Sequence, residues 1–385
     1  MYTSVNGIIY LVIFLNLYVC LEGYLIFRAL KNVLNRNFPR PSGTGKKLFF
    51  WIYWPVSIGA AFLYFYFSSW NGRNFFNLAS SYWGLLVFLP FFIFADAACL
   101  LLRIIAKKRP GAGNKTATLW IRTAAIVLAL GTLAWGSYSA RYAKTVHYRV
   151  TTGKPLPENG LTIIMVSDTH MGALVKKKEL ARIVSTINSL KGDLVLFAGD
   201  ILDRNMDVFI SERLNEELGS IKSTFGVYAV PGNHDYFRRN LSDLREHLAA
   251  AGVILLADET VTVNSLFYLA GRHDYSVHRW GQRRKSLDEL TGNLDHSRLI
   301  ILMDHQPLDL FLAEEAGVDL QVSGHTHRGQ IWPGSIVTKR LYENDYGLLY
   351  KGKTAIVVSC GCGVWGPPVR IGARAEVVCI HLVNP

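Results

Sequence analysis

At 385 residues the chain has room for two domains, and its composition says that they differ in kind. Half of the residues are hydrophobic and the formal net charge is +12, unevenly spread: residues 1–160 carry 17 Lys and Arg against 3 Asp and Glu, residues 161–385 carry 24 against 26. The basic excess therefore belongs to an apolar N-terminal part, and a near-neutral second half without a basic stripe interleaved with aromatics argues against nucleic acid as a partner.

Residues 5–30 are apolar apart from Glu22 and Arg28 and are long enough to cross a hydrocarbon core of roughly 30 Å. No basic segment precedes them and no small-residue cleavage site follows, so they read as an uncleaved anchor. Residues 48–69, 82–105 and 117–139 repeat the pattern, giving four predicted spans with Trp51, Trp54, Trp70, Trp83, Trp120 and Trp135 near their ends. The first connection carries Arg28, Lys31, Arg36, Arg40, Lys46 and Lys47, and the third carries Arg103, Lys107, Lys108, Arg109 and Lys115, whereas the second has only Arg73. Basic loops face the cytoplasm, and an even number of spans then leaves both termini on the outer side. Arg141, Lys144, Arg149 and Lys154, just after the fourth span, pull the other way. The expectation is a multi-pass protein of a bacterial plasma membrane, with residues 1–143 as an all-α membrane domain and an extracytoplasmic domain at 144–385. Glu22, Asp96 and Arg122 lie at or near membrane depth and read as interfacial or mutually paired groups.

From Thr145 the pattern changes to period two (Val146, Tyr148, Val150), and Pro155 and Pro157 make a short linker. Residues 161–166 and 193–198 are apolar runs without helical period, read as buried strands. Between them Leu180, Ile183, Val184, Ile187 and Leu190 recur at helical spacing. Strand, helix, strand in that order points to a parallel or mixed sheet. Further strands are expected at 226–230, 253–256, 261–263, 266–270, 299–303, 320–322 and 355–359, with helices at 241–251 and 308–316.

Polar groups stand just after those strands. Asp168-Thr169-His170 follows the first, Gly199-Asp200-Ile201-Leu202-Asp203 the second, and Gly232-Asn233-His234-Asp235 the strand ending at Val230. His305 follows 299–303, and Gly324-His325-Thr326-His327 follows 320–322. Alone, each is ordinary: Gly-Asp after a strand is a turn, and a single buried His is a core residue. Together, five strand ends deliver carboxylate, imidazole and amide groups to one sheet edge, and five of the chain's eleven histidines are among them. Mixed O and N ligands with a carboxylate able to bridge suit borderline divalent ions. The five cysteines do not compete for that role. Cys20 and Cys99 lie in apolar stretches, and Cys360, Cys362 and Cys379 complete neither a disulfide framework nor a four-ligand zinc site, reading instead as small buried residues.

The ordered set Asp-x-His, Gly-Asp-x-x-Asp, Gly-Asn-His-Asp, a later His and Gly-His-x-His resembles the calcineurin-like metallophosphoesterase superfamily over roughly residues 145–385. With the preceding spans, it is similar to the subgroup described as transmembrane proteins with a metallophosphoesterase domain. The resemblance implies an α/β fold, an α-β-β-α sandwich of two mixed sheets. It also implies a centre of two divalent metal ions, for which manganese, iron or zinc are all suited. Asp168, His170 and His327 would bind one metal, Asn233, His305 and His325 the other, and Asp200 would bridge. His234 would be catalytic, oriented by Asp203, and Arg204 is a candidate phosphate contact.

Protein phosphatases of the superfamily usually place Gly after the Asp-Arg pair and Glu after the catalytic His, where this chain has Asn205 and Asp235. That departure favours cleavage of phosphodiester or pyrophosphate bonds, and a membrane anchor favours lipid-linked substrates by raising their effective concentration. A phosphomonoesterase of the same superfamily and a metal-binding membrane receptor without turnover are the alternatives. The His- and Arg-rich segment 271–285 is read either as a wall of the substrate cleft or as a solvated loop, and 361–372 as a rigid loop between strands.

Overall fold

The computed structural model describes residues 115–385 except 173, 204–205 and 237–240, together with scattered positions between 91 and 104. The predicted spans at 5–30, 48–69 and 82–105, with Glu22 and Asp96, lie wholly or largely outside the described residues. The chain divides into two compact units, Met1–Gly131 and Thr132–Pro385. In the first unit the described positions are helical and include the beginning of helix α1 (Lys115–Arg141). Within α1, Trp120–Arg141 is the one candidate membrane span among the described residues. Its 22 residues rise about 33 Å, enough for a hydrocarbon core. Trp120, Ile126, Val127, Leu130 and Trp135 are exposed on it, the apolar surface that lipid rather than water would cover.

The second unit is built on two six-stranded sheets, both mixed. The first has the order β1 (Lys144–Thr151), β12 (Glu376–Val383), β2 (Leu161–Val166), β3 (Leu194–Ala198), β4 (Val227–Val230), β5 (Val253–Leu255), in which β12 alone runs antiparallel to its neighbour β2. The second has the order β10 (Gly347–Lys351), β11 (Thr354–Val358), β9 (Leu320–Ser323), β8 (Leu299–Met303), β7 (Phe267–Gly271), β6 (Glu259–Val263). Its four central strands are parallel and its two outer pairs antiparallel.

Strand period two explains why these runs are apolar throughout. On β2 and β3, Ile163, Met165, Leu194 and Leu196 face inward, packing with Leu269, Ile301, Met303, Leu320 and Val357 of the other sheet. The alternate residues Ile164, Val166, Val195 and Phe197 pack against Leu180, Ile183, Val184 and Ile187 of α2 (Lys177–Ser189). Outside the second sheet, Ile300 and Leu302 meet Leu287 and Ala313 from the helical turns Leu287–Thr291 and Phe311–Glu315. The result is the helix–sheet–sheet–helix layering expected from the sequence. Because β2, β3 and β4 run parallel in one sheet and β8, β9 and β11 in the other, the turns leaving their C-terminal ends meet at one edge.

Leu196 sits fully buried between the sheets. Leu196→Ala should destabilise the unit by about 2–5 kcal/mol, through lost transfer energy and the cavity left behind. Urea-dependent proteolysis of the full chain against wild type measures this.

Candidate metal centre

Three turns from the first sheet and two from the second build the site. Several of its residues occupy left-handed backbone conformations: Asp168 (φ 51°), His170 (45°), Asp200 (51°), His325 (71°) and His327 (47°). Such conformations cost of order 1–3 kcal/mol each in a non-glycine residue, so neighbouring structure must hold them. Asp168 N–H donates to Gly199 O (3.0 Å), His170 N–H to Asp200 O (3.0 Å) and Met171 N–H to Ile201 O (2.8 Å), lacing the first two turns together. The third turn is joined by Asp235, whose buried carboxylate accepts from the N–H groups of Ile201 (3.1 Å), Leu202 (2.8 Å) and Gly232 (2.8 Å). Asp235, one of the two residues at which the sequence departs from the protein phosphatases, is thus a tie between loops; burial, and then Asp200, push its carboxyl up to about 7.

Two glycines are dictated by close approach. A Cβ on Gly199 (φ 88°) would lie 2.4 Å from His305 Nδ1. One on Gly232 would lie 2.2 Å from Asp200 Oδ1.

The ligand-type atoms gather in two groups, Asp168, His170 and His327 in one and Asp200, His305 and His325 in the other, each set within 4.8 Å. In the first, His170 Nε2 is 3.1 Å from His327 Nε2, which is 3.5 Å from Asp168 Oδ1. In the second, His305 Nε2 is 3.4 Å from Asp200 Oδ2. The same Asp200 oxygen is 3.7 Å from His170 Nε2, so this carboxylate stands between the groups. Asn233 enters beside them: His234 N–H donates to Asp200 Oδ1 (2.8 Å), and Asn233 Oδ1 is buried without a hydrogen bond.

The donor chemistry fits divalent cations. His305 Nδ1 faces the carbonyl of Ala198 at 2.8 Å, and a carbonyl only accepts, so that nitrogen carries the proton. Nε2 is then the free position, buried without a hydrogen bond opposite a carboxylate oxygen, and positive charge between them satisfies both. Burial pushes His170 down to about 3, His325 down to about 4 and His327 well below the usual imidazole range, so all three are neutral, the form that ligates. His305 behaves differently: burial lowers it, but the adjoining Asp200 carboxylate outweighs burial and drives it well up.

His234 lies against the first group, its ring 4.7 Å from that of His170 and edge-on. Its Nδ1 donates to the main-chain carbonyl of Asp203 at 2.9 Å, while the Asp203 carboxylate is at 3.9 Å. The orienting contact expected from the carboxylate is thus made at hydrogen-bond distance by the same residue's backbone. Arg204 lies outside the described residues.

The two flanking segments differ in their relation to the site. Loop 361–372 reaches the site: Gly363 N–H donates to Asp168 O (2.9 Å), and the Trp365 ring stands 6.3 Å from His234. Arg370, fully buried, donates to Cys360 O (2.8 Å) and Gly363 O (2.6 Å) and is 3.2 Å from His327 Nδ1. The sequence offers no signal for that role beyond a positive charge among glycines. In segment 271–285, by contrast, Arg272 (3.2 Å) and Arg284 both ion-pair with the buried Asp304, and His273 Nδ1 is 2.6 Å from Tyr236 Oη. Those side chains hold the loop down rather than present charge to a cleft; His278 and Arg279 remain exposed. Cys360 and Cys362 are buried free thiols, as expected, and burial pushes Cys360 up to about 12.

Residues 161–329 match the family model for the calcineurin-like phosphoesterase domain. A transmembrane protein with a metallophosphoesterase domain from Danio rerio is 30% identical over 322 residues, covering 79% of this chain and 73% of the relative. The chain is a member of the metallophosphoesterase family. A metallophosphoesterase of Aquifex aeolicus is 30% identical over 256 residues, 64% of this chain and 95% of the relative. One from Helicobacter pylori is 35% identical over 225 residues, 58% of this chain, and the match spans 60% of that relative's length.

Gly232→Ala should displace Asp200, its main-chain nitrogen and its carboxylate together. Metal bound per chain, measured by inductively coupled plasma mass spectrometry, is expected to fall while the circular dichroism of the protein is unchanged.

Proposed function

We propose that the chain is a membrane-anchored phosphohydrolase with a binuclear metal centre that cleaves phosphodiester or pyrophosphate bonds, lipid-linked substrates favoured. The observation that carries this reading is the position of Asp200, whose Oδ2 is 3.7 Å from His170 and 3.4 Å from His305, one in each ligand group. Asp168, His170 and His327 would hold one cation and Asn233, His305 and His325 the other, with Asp200 shared. Bound divalent cations in such a centre lower the pKa of water toward neutrality and neutralise phosphoryl oxygens.

The chain's own residues supply the rest. With Nδ1–H committed to the Asp203 carbonyl, His234 keeps Nε2 for a proton that can pass to the leaving oxygen. Asp203 fixes the ring's tautomer and direction. Arg370 holds the turn that abuts Asp168 and sets His327 from behind. Trp365, half-exposed beside His234, offers an aromatic wall for the leaving group.

The membrane part of the proposal rests on Trp120–Arg141, separated by two residues from the start of β1 at Lys144. A tether that short keeps the hydrolase near the bilayer and raises the effective concentration of lipid-borne esters. The relatives named as transmembrane proteins support the same reading. It extends to four spans in residues 1–143, a hydrolase domain at 144–385, and an outward-facing catalytic domain in a bacterial plasma membrane.

The test is hydrolysis of bis(p-nitrophenyl) phosphate by the full chain, stripped of metal and reloaded with manganese. Activity should vanish on stripping and return on reloading, and His234→Ala should lower kcat by about 10²–10⁴ with metal content unchanged. Equal rates for His234→Ala and wild type would remove His234 from the chemistry. Turnover of monoesters but no diester or pyrophosphate would replace the proposed substrate class.

A further inference from the structure

A further cluster of metal-ligating side chains lies at the edge of the first sheet. β1 and β12 run parallel, with His147 paired to Cys379 and Arg149 to His381. Side chains alternate along a strand, so His147, Cys379 and His381 share one face. On that face His147 Nδ1 is 3.2 Å from His381 Nε2, and Cys379 Sγ is 3.3 Å from the same nitrogen. All three ligand atoms lie within 4.8 Å of one another. The two imidazole rings are parallel, with 3° between their planes, so they must turn for both lone pairs to converge on one cation.

Neighbouring groups orient these atoms. His381 Nδ1 is 3.4 Å from the Thr162 hydroxyl of β2, a partner that can take the Nδ1 proton and leave the Nε2 lone pair directed at Cys379 and His147. Burial, and then His147 and Arg149, lower the pKa of His381, which keeps it neutral. Tetrahedral zinc, with bonds of about 2.0–2.1 Å to nitrogen and 2.3 Å to sulfur, requires N···N and N···S separations of about 3.3 and 3.6 Å. The His147–His381 and Cys379–His381 distances, 3.2 and 3.3 Å, are within a few tenths of an ångström of these. Cys379 is 1% exposed, whereas His147 is exposed, so the cluster is closed on the sheet side and open on the other, where water can complete the coordination. Burial pushes the Cys379 thiol up to about 11, and a coordinated cation is what removes such a proton.

We propose that His147, Cys379 and His381 form a thiolate-containing site for a borderline-soft divalent cation of the zinc class. The site is separate from the hydrolytic centre. His381 pairs with Thr162 at the start of β2, while Asp168 and His170 follow the end of that strand. The chemistry separates them too: one thiolate and two imidazoles select zinc over manganese, whereas the centre's mixed carboxylate, amide and imidazole set accepts either.

Cobalt(II) added to the metal-stripped full chain reports thiolate ligation through a charge-transfer band in the near ultraviolet. The expected result is a band that saturates at a single equivalent per chain and is bleached by zinc. Cys379→Ser should abolish it, and His147→Gln, at an exposed position, should weaken cobalt affinity at least about tenfold while leaving diester hydrolysis unchanged. Asp200→Asn, in the hydrolytic centre, should leave the band intact. No thiolate band in the wild-type chain, or one that persists in Cys379→Ser, overturns the proposal. So does a band that is lost only on replacing Cys362, the buried thiol in the turn beside Asp168.

Discussion

Asp200 is an ionised carboxylate shut away from water, and the active end of the molecule is organised around keeping it so. Burial alone would protonate it; the adjoining His305 outweighs burial and holds it well below the usual carboxylate range. The His234 N–H adds a hydrogen bond to Oδ1 at 2.8 Å. Satisfying a buried charge demands partners in fixed positions, and each partner carries its own demand. His305 can stand where it does because position 199 has no Cβ, and Asp200 because position 232 has none. The left-handed conformations at Asp168, His170, Asp200, His325 and His327 belong to the same requirement: the chain bends out of its preferred regions so that the donors converge.

The sandwich makes that convergence affordable. Parallel strands in both sheets send their C-terminal turns to a common edge, so residues far apart in sequence, such as His170 and His327, meet without long loops. The apolar layer between the sheets supplies the rigid base. Its strands are covered on both faces, and the turns extend from elements that have no room to shift.

That double coverage also decides what the sequence reveals. β2 and β8 read as continuous apolar runs, and their expected limits match those observed, because both faces of each strand are buried. β12 was not among the expected strands although it is central. Its buried Glu376 looks polar in isolation and is tolerated because Tyr346 Oη, Ser359 Oγ and the Cys360 N–H donate to it and Lys144 ion-pairs with it, partners the sequence does not bring near. β10 was missed for a different reason: as an edge strand with partly exposed residues it has no strong pattern. At the site, histidines and carboxylates after strand ends were legible because their spacing follows the turns. Arg370 was not, since its partners are carbonyls, which every residue has. Arg272 and Arg284 are the converse case. A cationic segment reads equally as a cleft wall for an anion or as a solvated loop, and Asp304 takes both charges inside the protein.

β12 also joins parts of the molecule that the motif order keeps separate. Its first residue, Glu376, fixes Ser359 and Cys360, the start of the turn whose Gly363 N–H binds Asp168 O. Along its length it pairs with β1, which follows α1 after two residues. A strand placed between β1 and β2 therefore carries the geometry of the metal turn at one end and an unrelated Cys-His-His face at the other. Cys379 pairs with Ile164 and His381 with Thr162, so four to six residues of strand separate these two chemistries. A rise of roughly 3.3 Å per residue makes that distance about 13–20 Å. Over such a span, with β-sheet hydrogen bonds fixing the register, a cation at either end can be bound on its own terms.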